Sequence, residues 1–426
     1  MLLPGIFTTP TAAVRAIAGA RAISITGGAA AFAALNLAIY QQTRSEAWLA
    51  TTMLLTFGVA GVVGLFAGML GDRFDRQKVM IGSDLVSGIF FIALIFTDDP
   101  GWMLFFAFLS AVCEAPLWAA SGAAIPNLVP ADRVAWANSL SQLGHNFGVL
   151  VGPAIVGVFY DFTGARPIFI LNAASFVVSA SLTAMVRGTF AGDREDAGEH
   201  AGFTAGLRFM IRDHVLRWMN LSWVFLVVGL GIVMTADVPF AELFDAANPG
   251  SYYGWMIGSW GAGSVVGALL GRRITVRTEG PVLLIGTLIF TATLGAIAPM
   301  TIFFFVPVLI FTSGLAEGVG HVAELNITQR RAPDAVRSRV LSASQAVVDA
   351  ALALGFVAAG PVLSAVGPRW AYAIGGGISF LAALLLIPAV SELRRSLAEK
   401  PEEAEEIEEL TVSEFPAPDA GTITGA

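Results

Sequence analysis

The chain has 426 residues, of which 56% are apolar and 13% charged, about half the charged share of roughly 25% usual in soluble domains. With a mean hydropathy of +0.73 it has too few charges to cover a soluble globule, which excludes a cytosolic enzyme, a nucleic-acid binder and a disordered chain and leaves a polytopic membrane protein. The net charge of −8 is uneven: residues 391–426 carry ten acids and three bases, a net of −7, and leave the other 390 residues at −1. Cys113 is the one cysteine, so no intrachain disulfide forms; it reads as a small packing residue.

A helix crossing about 30 Å of hydrocarbon needs roughly 20 mostly apolar residues. Twelve stretches meet that need: 18–41, 48–70, 79–97, 101–124, 137–160, 166–187, 218–241, 252–271, 281–299, 302–326, 339–364 and 370–390. Their long continuous runs exclude barrel strands, which alternate over about 10 residues. The first is too long and too late for a cleaved signal peptide. With the N-terminus in the cytoplasm, 21 Lys and Arg fall inside, Arg15 and Arg21 among them, and only Arg44, Arg166 and Arg369 fall outside. That bias predicts an even number of segments and two cytoplasmic termini.

Between segments 6 and 7, Gly192, Asp193, Glu195, Asp196 and Gly198 give a linker composition. Phe203, Leu207, Met210, Ile211 and Val215 then follow helical spacing among Arg208, Arg212 and Arg217 up to Trp218. This reads as a short amphipathic helix, either on the cytoplasmic leaflet or packed beneath the bundle. The expected organisation is a six-helix bundle over 1–187, a cytoplasmic linker over 188–217, a second six-helix bundle over 218–390, and an acidic, disordered tail over 391–426.

The two bundles repeat at an offset of 203. Glu114 matches Glu317, Pro130 matches Pro333, Ser139, Ser141 and Gln142 match Ser342, Ser344 and Gln345, and Gly164 and Arg166 match Gly367 and Arg369. These are polar, Gly and Pro positions, so biased composition does not produce them by chance. Near the same offset Gly152-Pro153 corresponds to Gly360-Pro361. Such duplication marks secondary transporters, with the site near the midplane between the halves.

After segment 2 the sequence Gly68-Met69-Leu70-Gly71-Asp72-Arg73-Phe74-Asp75-Arg76-Gln77-Lys78 resembles the GxLxDRxGRK loop of the major facilitator superfamily, itself a type case of the repeat rule. The resemblance covers nearly the whole chain, and its Asp-Arg-Phe-Asp-Arg form looks like the branch holding bacterial macrolide efflux pumps and the enterobactin exporter. It implies an all-α fold of twelve transmembrane helices in two pseudo-symmetric bundles. It also implies that Asp72, Arg73 and Arg76 hold the outward-open state by docking the halves. The physics is consistent: Asp72 suits the positive end of a neighbouring helix, and Arg73, Arg76 and Lys78 suit a carboxylate such as Asp132. Two departures stand out. Asp75 replaces the usual Gly, and the second-half counterpart has Gly271 where the Asp would be, so the latch is expected on one side only. In segment 5, Gly148, Gly152, Pro153 and Gly157 resemble in part the GxxxGP motif of exporting members. Glycines four apart admit a close neighbour helix, and Pro bends its own.

A mid-membrane carboxylate is costly unless it meets water, a partner or a proton. Glu114 in segment 4 and Glu317 in segment 10 occupy equivalent places, and the family pattern puts segments 1, 4, 7 and 10 around the central cavity. A carboxyl tuned toward neutrality by burial or by a second carboxylate can exchange its proton for a cationic substrate. Glu317, His321 and Glu324 share one helix face; His321 is either a proton relay or a packed histidine. Asp237, Asp349, Asn36 and Trp118 complete the candidate pathway, with packing the alternative for Asp237, Asp349 and Trp118. Segment 4 lacks the Arg that many drug–proton antiporters of the family carry.

No GxxxxGK[ST] loop is present, so ATP is not the expected energy source. No catalytic residue, metal site or cofactor is expected; a proton gradient is the coupling source, worth about 2.3 kcal/mol per charge per 100 mV. The expected function is proton-coupled export of small amphiphilic or cationic molecules by alternating access. Metabolite uptake on the same fold is the alternative, ahead of a scaffold or a membrane enzyme. The expected partners are a small-molecule substrate and the lipid bilayer, not nucleic acid, with a monomer in a bacterial cytoplasmic membrane.

Overall fold

The computed structural model describes residues 6–58, 74–130, 133–188, 190, 203–271 and 273–399. Among them the chain is helical, without strands; a lone bridge pairs Phe7 with Val186. The helices of the first part are α1 (Pro10–Thr43), α2 (Glu46–Met53, continued by a π turn over Leu54–Gly58), α3 (Arg76–Ile95), α4 (Pro100–Ala124), α5 (Val134–Thr163) and α6 (Arg166–Ala184). Then come α7 (Phe203–Arg212), α8 (His214–Glu242), α9 (Pro249–Gly271), α10 (Glu279–Ile297), α11 (Phe305–Arg331) and α12 (Asp334–Glu399).

Nine of the described helices are long and apolar enough to cross a bilayer. α12 contains two of the expected segments, separated by non-helical backbone at Gly367, and continues to Glu399. α9 has the length, 23 residues, but its glycines dilute its hydropathy. Expected segment 2 begins as α2 and then leaves the described residues, as the tail does from residue 400.

Capping residues set the helix starts, and they lie outside the apolar runs. Thr9 Oγ1 accepts from the Ala12 N–H (3.3 Å), with Pro10 at the first helical position. Asp99 accepts from Trp102 N–H (3.0 Å), with Pro100 likewise placed. Asp75 accepts from Gln77 N–H (2.9 Å) and Lys78 N–H (3.3 Å) at the start of α3, which gives this departure from the family loop a local task. Asp213 caps α8 through Leu216 N–H (2.9 Å). That cap divides the amphipathic stretch 203–218 into α7 and the start of α8. Met210 of α7 is buried against Leu216, Ala332 and Val340, the packed arrangement rather than the leaflet-lying one.

The repeat is written into the backbone. Gly164 (φ 70°) and Gly367 (φ 76°), 203 residues apart, are the two positive-φ glycines among the described residues, a conformation that a side chain disfavours. The arginine two residues later ties down a neighbouring loop in each case. Arg166 pairs with Asp98, and Arg369 donates to the carbonyls of Ala298 (3.1 Å) and Met300 (2.5 Å).

α1 packs on α5 and α6, and α3 on α4 and α6; α8 packs on α12, α9 on α11, and α10 on α11 and α12. Between these groups α5 meets α9 and α2 meets α12. The starts of α1 and α8 share one face of the molecule, because Arg44 and Glu242 at their other ends bond each other (2.6 Å). This "basic face" carries Arg15, Arg76, Lys78, Arg133, Arg330 and Arg331; Arg44, Asp161 and Glu242 mark the "far face". Toward the far face one apolar core joins both groups, with Ile39, Val156 and Tyr160 beside Phe240, Tyr253 and Leu363. Toward the basic face the clusters are separate: one around Ile17, Leu117 and Leu128, another around Met219, Leu283 and Ile327. Among the described residues the halves are closed at the far face and parted at the basic face.

Candidate functional site

Glu114 lies on α4, partly buried, with no hydrogen-bond partner among the described residues. One turn along, the Trp118 ring is 43% exposed. The Arg21 guanidinium stacks on that ring, its carbon 3.8 Å from the centroid, and the His145 ring of α5 meets the same indole edge-on at 5.7 Å. Arg21 is only 5% exposed and lies within electrostatic reach of Glu114 and of Asp84 on α3. Asp84 is fully buried and accepts from Ser179 Oγ of α6 (2.7 Å). Two buried polar atoms here have no partner, Arg21 Nη1 and Asp84 Oδ1.

Neither Arg21 nor Asp84 was among the expected site residues. Arg21 counts as an inner-end cation only if α1 starts at the apolar run. The Thr9-Pro10 start signal puts it about three turns inside the helix. Asp84 falls inside segment 3, where the rule that singles out Glu114 applies equally.

Glu317 lies on α11, and Ser264 Oγ of α9 donates to its carboxylate (3.0 Å). Glycines cause that contact. A Cβ on Gly263 or Gly267 of α9 would collide with the Phe311 or Leu315 carbonyl, and one on Gly314 or Gly318 of α11 with the Trp260 or Ser264 carbonyl. The two backbones therefore approach closely enough for a serine to span the gap. Beside Glu317 is a small cavity of about 20 Å³ lined by Trp223, Leu283, Thr287 and His321, room for about one water. His321 Nδ1 lies 3.3 Å from Glu324, and its ring meets Trp223 of α8 at 6.4 Å. Glu114 and Glu317 thus make no contact with each other; each has its own aromatic and cationic neighbours.

The other pathway candidates scatter. Asp237 of α8 accepts from the buried Tyr372 hydroxyl of α12. Asp349 accepts from Gln345 Nε2 (2.8 Å), and at the equivalent place Asn146 accepts from Gln142 Nε2 (2.9 Å). Asn36 is fully buried and donates to the Phe32 carbonyl (2.9 Å).

Of the latch residues, Gly68, Asp72, Arg73 and Asp132 lie outside the described residues. Arg76 donates to the Phe190 carbonyl (3.2 Å), and its neighbour Gln77 donates to the Thr183 and Val186 carbonyls (both 2.9 Å), so this loop end is tied to the exit of α6. Lys78 is exposed at the start of α3. The segment-5 motif has two uses. Gly148 faces Ile25 of α1 and Gly152 faces Ala29, where added Cβ atoms would lie 2.6 Å from side-chain carbons. Gly157 instead faces Gly254 of α9, backbone against backbone, with Pro153 a turn away.

That crossing of α5 and α9 ends in a far-face contact. Asp161 accepts from the N–H groups of Gly250 (2.9 Å) and Ser251 (2.8 Å) and from Ser251 Oγ (2.6 Å). A carboxylate of one group caps the positive start of a helix in the other. On the basic face, Arg331 holds Asp213 through both carboxylate oxygens (2.9–3.0 Å), and Arg330 holds Glu279 in the same way.

Long apolar helices, a duplicated backbone and buried charges between helices define a membrane transporter. The sequence model of the Major Facilitator Superfamily matches residues 17–247 and 238–417, and the chain belongs to that family. It is 23% identical to macrolide efflux protein A of Streptococcus pyogenes, over 88% of this chain and 95% of that protein. It is 29% identical to the multidrug efflux pump Tap of Mycolicibacterium fortuitum, over 72% and 78%. The crystal structure of the nucleoside transporter NupG has the same fold, with a TM-score of 0.72 at 13% identity over 88% of this chain and 98% of that one.

Proposed function

We propose that the protein is a proton-coupled exporter of small amphiphilic or cationic molecules, working by alternating access between halves 1–187 and 218–390. The observation that carries this reading is Glu114: an acid on a membrane helix without a hydrogen-bond partner among the described residues, one turn from the half-exposed Trp118. Such a carboxylate is expensive to keep and suits a cation, while the indole suits an apolar or aromatic body. Glu317 with Ser264 supplies a second polar point, and His321 beside Glu324 a group able to relay protons. Relatives that are efflux pumps support the direction.

The basic face is assigned to the cytoplasm, following the charge bias of the loops, in a bacterial inner membrane with both termini inside. The described state, closed at the far face and parted at the basic face, is then inward-facing. A cytoplasmic substrate enters between the halves and pairs with Glu114, a proton leaves to the cytoplasm in exchange, and the far-face contacts open to release the substrate outside.

Accumulation of labelled tetraphenylphosphonium and erythromycin in inside-out vesicles tests the direction. Energised vesicles holding the wild type are expected to accumulate at least one compound, and Glu114→Gln to abolish it. Accumulation in right-side-out vesicles instead would establish uptake.

A further inference from the structure

We infer that Arg21, Asp84 and Glu114 form one coupling unit, in which Asp84 carries the exchanged proton and Arg21 is the internal cation that the two acids share. The inference rests on the export reading for its substrate step. It starts from two orphaned atoms. Arg21 Nη1 is a donor and Asp84 Oδ1 an acceptor, both buried and both without a partner, within electrostatic reach of each other. Buried polar atoms are rarely left unpaired, and an orphaned donor and an orphaned acceptor of opposite charge are complementary to each other.

The surroundings confine the exchange to these groups. Asp84 is faced by Arg21 from α1 and Glu114 from α4, while α6 contributes the uncharged Ser179. Arg21 is faced by Glu114, Asp84 and the His145 of α5. Trp118 stacks on the guanidinium carbon, a contact that takes up none of the N–H groups.

The step balances as follows. A cationic substrate from the basic face pairs with the Glu114 carboxylate and displaces Arg21. The guanidinium turns to Asp84 Oδ1. The Asp84 O–H bond breaks, its electron pair stays on the carboxylate, and the proton passes to water at the basic face. One cation enters the unit and one proton leaves. After the halves exchange faces, a proton from the far side rebinds Asp84, Arg21 returns to Glu114, and the substrate cation is expelled.

Infrared difference spectra of the purified full chain in lipid nanodiscs, taken between acidic and alkaline buffer, test this through the carboxyl C=O stretch. One such band is expected to vanish in Asp84→Asn, which keeps an acceptor for Ser179. Arg21→Gln is expected to move its titration midpoint by about one pH unit or more, since a neighbouring opposite charge has that effect, and Arg21→Lys to move it far less. A band set unchanged in Asp84→Asn overturns the inference, and decides alone should Arg21→Gln not fold; so does a midpoint unmoved in a folded Arg21→Gln. The reading of the whole protein fails separately: wild type that transports no compound, while Asp84→Asn still loses its band, refutes export and keeps Asp84 as a protonation site.

Discussion

The Arg21 guanidinium carbon lies 3.8 Å above the Trp118 ring, and the second half has an edge-on ring contact, Trp223 with His321 at 6.4 Å, beside its own glutamate. Trp118 and His321 are 203 residues apart, each one turn after the equivalent glutamate. In the first half the cation comes from α1 and the indole from α4. In the second the indole, Trp223, comes from α8 and the imidazole from α11. Each acid thus has an aromatic contact one turn along its helix, built from different residues in each half. A cation–aromatic stack is worth about 1 kcal/mol where it is partly exposed, so Trp118→Leu is expected to lower thermal stability in detergent by about that much, with Trp223→Leu costing less because its contact with His321 is longer and edge-on. Calorimetry or a fluorescence melt of the variants checks the ranking.

The α9–α11 contact makes opposite predictions for glycines of one helix. Gly267→Ala puts a Cβ into the Leu315 carbonyl, whereas Gly258 has nothing within 4 Å of the same position. Overpacking typically costs about 1–3 kcal/mol, and Gly→Ala in an open helical position gains roughly 0.5–1 kcal/mol. The two melting temperatures are expected to move in opposite directions. Gly267→Ala should also uncouple Ser264 from Glu317.

Asp213 serves two purposes, capping α8 and receiving both arms of Arg331. Asp213→Ala therefore removes a cap worth about 1 kcal/mol and leaves a partly buried cation unpaired, at a cost up to about 3 kcal/mol. Arg331→Ala loses the pair and keeps the helix start. Asp213→Asn keeps the cap and weakens the pair. Denaturation of the three variants is expected to rank Asp213→Ala as the least stable.

The far-face contacts predict conformational bias. Arg44→Glu and Asp161→Ala each remove a tie between the halves, and a few kcal/mol separate the states of such a carrier. Spin labels at the exposed Phe96 and Phe304, in a Cys113→Ser background, are expected to report a larger outward-open population in both variants. The reciprocal Arg44→Glu, Glu242→Arg protein is expected to return to the parental distribution.

Much of this was legible in the sequence, for identifiable reasons. Hydropathy located the membrane segments because hydrocarbon thickness fixes their length. It missed the helix ends because Thr9, Asp75 and Asp213 act through backbone N–H groups that carry no hydropathy signal. The repeat offset pairs Gly164 with Gly367, the two positive-φ glycines among the described residues. It placed Glu114 and Glu317 as equivalents, yet not their surroundings, which depend on side chains from helices distant in sequence. Arg21 was assigned to the loop charges since a one-dimensional count cannot separate a cation at a helix end from one three turns inside. Nothing in the sequence around Asp161 announces that another helix starts beside it.

The central claim is that substrate entry at Glu114 drives protons out of the protein. The most direct test is proton release in inside-out vesicles holding an imposed pH gradient, read by a pH-sensitive dye as lipophilic cations and macrolides are added. The account predicts collapse of the gradient by at least one compound with wild type and none with Glu114→Gln. Collapse that survives Glu114→Gln undiminished would contradict it.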